Sequence, residues 1–361
     1  MIKAHNFARR FQEVKQEYYE SLEFIHNSET VVNGHYTNLV EKRIQNLTGK
    51  KHALLLRSGA QSLRWALLAN GIKPGDEVII SNYSCPASLA CVTLIGAIPT
   101  LCEIDQYGQM DATYLEELLT HKTKAVIATG LYGDSHDHKN IKNFCSKNNL
   151  LYVNDCAQSY FSKFNGIECS TLGDVVCMSF ADNKQIPIPG THGAIATDSD
   201  DVYYKILNAR KSGKAFRKSP IIGIGETGRP DEDKAAQILI SWNHSSKWQA
   251  RRQEIGKYYQ EYFTNKNITF RSSPTYSTWN THKFAILCDD KFEMQSKLLA
   301  QGVESEAHYP DNFTLVAYLN KPYKKMEWTD YFCKKSLSIP INAHMTDSEV
   351  EFVAETVWKN F

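Results

Sequence analysis

Short apolar runs follow one another through the middle of the chain: Ala53–Leu56, Val78–Ile80, Thr100–Ile104, Ala125–Ala128, Leu150–Val153, Val175–Phe180 and Ala194–Thr197. Helical patterns separate the earlier runs, over Gln61–Ala69, Ser88–Ile95, Ala112–Leu119 and Lys139–Asn148. Strand-length runs with helical crossovers predict an α/β domain with a mostly parallel sheet. No long helix separates the last two runs, so part of the sheet is expected to be antiparallel. Past residue 240 the pattern changes. Trp248–Phe263 reads as a long amphipathic helix, His282–Leu287 as a strand and Lys291–Gln301 as a helix. Asp347–Trp358 reads as a last helix, with Ser348 to Glu351 as its capped start. The expected division is an N-terminal segment with a large α/β domain over residues 1–245, and a smaller α+β domain over 246–361. The first thirty residues are expected to be helical and peripheral.

Composition excludes several classes of function. The 41 Lys plus Arg against 40 Asp plus Glu leave a net charge of +1 over 361 residues, so no long-range field draws nucleic acid or an anionic membrane. A hydrophobic content of 42% is too high for a disordered chain. The most apolar stretch, Pro86–Leu101, is broken by Gly96 and Pro99 and is too short to span a bilayer. Nine cysteines, an odd number without a C-x-x-C pair, fit reduced thiols in a cytoplasmic protein. The opening residues carry no apolar core of a secretory signal. No metal site is expected, because the twelve histidines form no His-x-x-x-His pair with a nearby acid on a helix.

Three segments carry candidate chemistry. Around Arg57-Ser58-Gly59-Ala60-Gln61 a strand ends, a glycine turns and a helix begins, and a helix start can hold an anion such as phosphate. In Tyr152-Val153-Asn154-Asp155-Cys156-Ala157-Gln158 an apolar strand delivers Asp155 to its carboxyl end, where open sheets place ligands. In Met178-Ser179-Phe180-Ala181-Asp182-Asn183-Lys184 another strand ends in a loop with one lysine, a potential Schiff-base former. Singly, these fit a plain turn, a helix N-cap and a solvated lysine. Their joint order is what pyridoxal phosphate requires: an anion cradle, an acid for the ring nitrogen and an amine.

With these residues the chain resembles the DegT/DnrJ family, sugar aminotransferases of pyridoxal-phosphate fold type I. The resemblance runs from about Gly34 to the C-terminus. Matching stretches are Gly71–Ile79, Gly96–Pro99, Lys122–Ile127, Leu131-Tyr132-Gly133, Asp155–Gln158, Gly173-Asp174, Ser179-Phe180 with Lys184, Ala235-Ala236 and His308-Tyr309-Pro310. It implies a large domain with a mostly parallel mixed sheet flanked by helices, plus a smaller α+β C-terminal domain. It also implies pyridoxal 5'-phosphate as cofactor and a homodimer with shared active sites. The activity implied is amino transfer from glutamate to a nucleotide-linked keto sugar, with 4-keto-6-deoxy sugars frequent in the family. By position, Lys184 is the covalent anchor and proton carrier, and Asp155 the partner of the ring nitrogen. Gln158 falls near the phenolic oxygen. Ser58, Gly59, Ala60 and Ser179 fall where the phosphate is held. Cys85 replaces an aromatic that stacks on the ring, a place Tyr83 or Pro86 would otherwise fill. His192, Arg229, His308 and Tyr309 are the substrate candidates, Arg229 for a carboxylate or phosphate.

The sequence departs from the family pattern at several positions. Ala60 stands in place of Thr, and Ser62 or Gln61 would have to replace the missing hydroxyl. Gly190-Thr191-His192-Gly193 replaces Gly-Glu-Gly-Gly, and Thr227 replaces an Asn that reaches the partner's phosphate. Lys184 argues against sugar deoxygenation, where His typically takes its place. The other readings are amination of another ketone such as a cyclitol, and a cofactor-binding regulatory homologue.

Overall fold

The apolar runs become the strands of one seven-stranded sheet. In this computed structural model, which describes residues 1–215, 219–313 and 325–361, the chain opens with helices α1 (Phe7–Asn27) and α2 (His35–Thr48). Strands β1 (His52–Leu56), β2 (Glu77–Ser81), β3 (Ile98–Cys102), β4 (Thr123–Thr129) and β5 (Leu151–Asp155) then alternate with α3 (Gly59–Ala69), α4 (Pro86–Thr93), α5 (Leu115–Leu118) and α6 (His138–Lys147). A small hairpin, β6 (Lys163–Phe164) and β7 (Ile167–Glu168), precedes β8 (Val175–Ser179) and β9 (Gly193–Thr197). The sheet order is β1-β9-β8-β5-β4-β2-β3. The strands from β8 to β3 run parallel, and β9 is antiparallel to both β1 and β8, as the missing crossover helix predicts. The third strand starts at Ile98 rather than Thr100. It can include Pro99, which lacks an N–H, because β3 lies at the sheet edge.

Both faces of the sheet are covered, which is why its strands read as continuous apolar runs. On β1, Leu54 and Leu56 join the core on one face with Ile80, Ile127 and Val153, while Ala53 and Leu55 join the opposite core with Val176 and Met178. After α7 (Asp200–Ala209), the 34-residue α8 (Glu232–Asn265) begins well before the expected Trp248. Its first half sends Ala235, Ile238 and Trp242 into the large-sheet core. Its second half sends Ile255, Tyr259 and Phe263 into a separate core around β11 (Phe284–Leu287) and β12 (Ser336–Ile339). The 245/246 division therefore falls inside one helix that serves both cores. The remaining elements are β10 (Ser277–Thr278), α9 (Lys291–Ala300), α10 (Glu327–Lys335) and α11 (Asp347–Asn360).

Some helix starts are satisfied from far away in sequence. Gly34 cannot cap α2 with a side chain, and the buried Glu232 instead accepts from the amides of Gly34 (2.7 Å), Tyr36 (2.7 Å) and Thr37 (3.0 Å). Helix α11 is capped at Thr346 rather than at Ser348. Thr346 Oγ1 accepts from the Glu349 amide at 3.2 Å, and Glu349 Oε2 accepts from the Thr346 amide at 2.9 Å, a reciprocal cap that leaves Ser348 inside the first turn. All nine cysteines are free thiols. Among the described residues no helix is long and apolar enough to cross a membrane, and no group of three or more His, Cys, Asp or Glu is placed to hold a metal ion.

Candidate active site

Strands β4 and β5 end side by side, and their register pairs Thr129 with Asp155. The buried Asp155 carboxylate accepts from Thr129 Oγ1 at 3.1 Å on one oxygen and from the Ala157 amide at 3.0 Å on the other. Burial pushes its pKa up, while the Ala157 amide, the Lys184 charge and Thr129 oppose that shift. On the neighbouring strand, β8 ends at Ser179 and turns to the half-buried Lys184. Burial lowers the pKa of the Lys184 amine, and Cys85, Asp155 and Asp182 act against it. An acid and an amine from adjacent strand ends thus sense one another electrostatically.

The third component lies at the start of α3. Ser58 caps the helix by accepting from the Gln61 amide at 3.0 Å. The amides of Gly59 and Ala60 precede the first intrahelical bond and point out of the helix end. Gly59 lies so close to β8 that an added Cβ would meet the Ser179 Cβ at 2.9 Å, and a Cβ on Gly193 would meet the Ser58 backbone at 2.4 Å. The bare backbone at these positions brings Ser58, the α3 amides and the Ser179 hydroxyl together. Ser62 and Gln61, which follow Ala60, make bonds within the chain. Ser62 donates to the Ser58 carbonyl at 3.0 Å, and Gln61 Oε1 accepts from the Arg57 amide at 2.7 Å.

Gln158 stands between this region and the small sheet. Its Oε1 accepts from the Tyr132 amide at 2.9 Å, and its Nε2 donates to the Tyr309 hydroxyl at 3.0 Å. Tyr309 is tied in turn to Tyr83, whose hydroxyl accepts from its amide at 2.7 Å and lies 2.6 Å from that of Tyr132. Both hydroxyls also bond the His308 carbonyl. Fully buried, Tyr83 belongs to this wall. Cys85, half-buried at the start of α4, acts electrostatically on both Lys184 and Tyr309. His308 Nδ1 lies 3.0 Å from Ser338 Oγ, and its Nε2 lies 3.2 Å from Glu306. Burial pushes its pKa well down, and the charges of Lys283 and Lys184 add to the effect.

The remaining candidates are His192 and Arg229. His192 is buried in the turn before β9, with Nδ1 2.5 Å from the Thr191 carbonyl. Arg229 is exposed and shares a cleft with Thr227, Lys211 and Lys214. Its carbonyl accepts from Arg57 Nε at 3.1 Å.

A family model described as the DegT/DnrJ/EryC1/StrS aminotransferase family matches residues 12–358. The chain belongs to that family. Among its relatives, the dTDP-3-amino-3,6-dideoxy-alpha-D-galactopyranose transaminase of Aneurinibacillus thermoaerophilus is 28% identical over 324 residues, 88% of each chain. The UDP-2-acetamido-2-deoxy-3-oxo-D-glucuronate aminotransferase of Pseudomonas aeruginosa is 27% identical over 318 residues, 87% of this chain and 88% of that one. The solved structure of S. venezuelae DesV in complex with a ketimine intermediate shares the fold, with a TM-score of 0.94 over 99% of this chain and 98% of that one, at 24% identity.

In this DegT/DnrJ/EryC1/StrS aminotransferase, membership implies pyridoxal phosphate, and the donor set suits it: open amides for a phosphate, a buried carboxylate for a cationic nitrogen and an amine. Thr129 escaped the sequence reading, although it ends an apolar strand just as Asp155 does. Lys283 also escaped it. It is buried next to Glu306, with 3.3 Å between Nζ and Oε2, and its charge reaches Lys184.

Proposed function

We propose that the protein transfers an amino group from glutamate to a nucleotide-linked keto sugar, foremost a 4-keto-6-deoxy sugar, as a cytoplasmic homodimer with shared active sites. The observation that carries this reading is the buried Asp155 carboxylate and the Lys184 amine at adjacent strand ends, beside the open amides of α3. The relatives named for dTDP- and UDP-linked sugars support the substrate class.

When bound, pyridoxal phosphate supplies an electron sink for the carbanion left after an amino acid loses its α-proton. The residues of the chain do the rest. Gly59 and Ala60 amides with the Ser58 and Ser179 hydroxyls hold the phosphate. The Asp155 carboxylate, fixed by Thr129 and Ala157, keeps a proton on the ring nitrogen. Gln158, pinned at both ends of its amide by Tyr132 and Tyr309, orients the ring. Lys184 Nζ, made less basic by burial, takes up the α-proton and delivers it again. In the second half-reaction the same groups act in reverse on the keto sugar, whose carbonyl carbon receives the amine. The test is spectroscopic. Purified protein is expected to be yellow, and glutamate to shift its absorbance from the aldehyde to the amine form of the cofactor. A panel of keto sugars read by product mass then identifies the acceptor. No spectral response to glutamate would reject the donor assignment.

A further inference from the structure

Lys184 borders a cleft on the side facing the small sheet. Its walls come from the segment before α1, from α1 and α8, from the loop after β8 that carries Lys184, from His282 and from the loop after β12. Arg10 on α1 and Arg252 on α8 line it at 7% and 8% exposure. Neither guanidinium makes a hydrogen bond or an ion pair with any described residue. The acid on the cleft, Asp182, reaches Arg10 only through space. Two buried imidazole nitrogens on the same walls, Nε2 of His5 and of His282, also lack partners. Burial holds both rings neutral, His5 being lowered to about 4. The Arg10 guanidinium lies 5.1 Å from the centre of the Phe7 ring, and a guanidinium without a carboxylate partner favours an anion in its cleft. Two guanidinium groups on one opening, with polar nitrogens on the same walls, form a cationic lining that suits an anion.

We propose that Arg10 and Arg252 bind a carboxylate carried by a substrate, in a subsite bordered by Lys184. The guanidinium fork matches a planar carboxylate in two parallel hydrogen bonds. Two sources share this chemistry: the distal carboxylate of a dicarboxylic amino donor, and the carboxylate of an acidic sugar. The inference rests on the reading above in taking Lys184 as the reacting amine.

The experiment is calorimetric titration of the cofactor-loaded protein with glutarate, a dicarboxylate that has no amine, and with glucuronate. Glutarate is expected to bind, and Arg10→Met and Arg252→Met to weaken it about tenfold or more. The same loss for glucuronate alone would support the acidic-sugar source. Unchanged binding of both in the two variants, or no binding of either to the wild type, overturns the proposal. Each Met variant is expected to melt no lower than the wild type without ligand, because it removes an unpaired buried charge. If a variant fails to fold, hydrogen exchange of the wild type decides. Glutarate is expected to slow exchange in the His5–Phe11 segment, and no slowing overturns the proposal. Borohydride labelling separates this failure from failure of the Lys184 reading. Label at Lys184 without carboxylate binding removes the subsite alone, and carboxylate binding without the label removes the covalent role alone.

Discussion

Arg271 is buried as deeply as Arg10 and Arg252, at 7% exposure, yet its surroundings are the opposite. Its Nη2 lies 2.5 Å from Asp134 Oδ2, and its Nη1 donates to the carbonyls of Tyr107 (3.1 Å) and Ser272 (3.0 Å). Asp134 accepts further bonds from Ser273 (2.8 Å) and Ser277 (2.7 Å), and the Tyr132 ring lies 4.9 Å from the guanidinium. Every polar group there is satisfied within the chain, so the cluster latches the loop after β4 to the residues preceding β11. Arg10 and Arg252 face a cleft whose acid, Asp182, makes no ion pair with either of them. The contrast teaches that burial alone does not mark a functional cation. What marks it is burial without an internal partner, beside a reacting group.

Lys184 gives the sharpest test on the functional side. Lys184→Ala is expected to abolish transamination and the visible absorbance of the bound cofactor while keeping the melting temperature, since the amine has no internal ion partner. Asp155→Asn is expected to slow the glutamate half-reaction by about a hundredfold or more, measured by stopped-flow absorbance. On the structural side the signs reverse. Arg271→Ala is expected to destabilise the fold by about 3–5 kcal/mol in urea unfolding, because it strands Asp134 in the interior. Equal stability losses for Arg271→Ala and Arg252→Met would break the comparison.

Buried neutral histidines give an effect that appears only on acidification. Tyr152 Oη lies 2.6 Å from both His136 Nε2 and His138 Nδ1. Burial lowers the His136 pKa from 6.5 to about 3. The unfolded chain therefore takes up this proton first, so the contribution is whole above pH 6.5 and lost as pH falls towards 3. The expected loss is about 1.4 kcal/mol per pH unit across that window. His136→Gln is expected to flatten that slope, and an unchanged slope would show that other groups set it. Smallest of all, Thr346→Ala is expected to cost about 1 kcal/mol through the lost cap of α11, read from the denaturation midpoint.

The placement of residues at strand ends and helix starts was legible in the sequence. Asp155 ends β5, Lys184 lies in the loop that follows β8, and Ser58-Gly59 opens α3, as the neighbouring residues indicate. The antiparallel β9 was legible from a missing helix. The early start of α8 was hidden by polar residues such as Ser241 and Ser245. Their hydroxyls turn inward to the carbonyls of Pro187 and Trp242, both at 2.7 Å. Arg10 and Arg252 were invisible for a different reason. They meet only because α1 and α8 are both brought to one cleft, and no local pattern records that encounter. Glu232 as the cap of α2 is the same kind of long-range fact. So is the wall of Tyr83, Tyr132 and Tyr309, in which residues of the large and small sheets share hydroxyl bonds.

The central claim is that Lys184 is the amine joined to pyridoxal phosphate. Reduction of the cofactor-loaded protein with borohydride, followed by peptide mapping, measures this directly. One phosphopyridoxyl group on the Lys184 peptide is the expected result. Its appearance on Lys283 or another lysine, or its absence from saturated protein, would contradict the account.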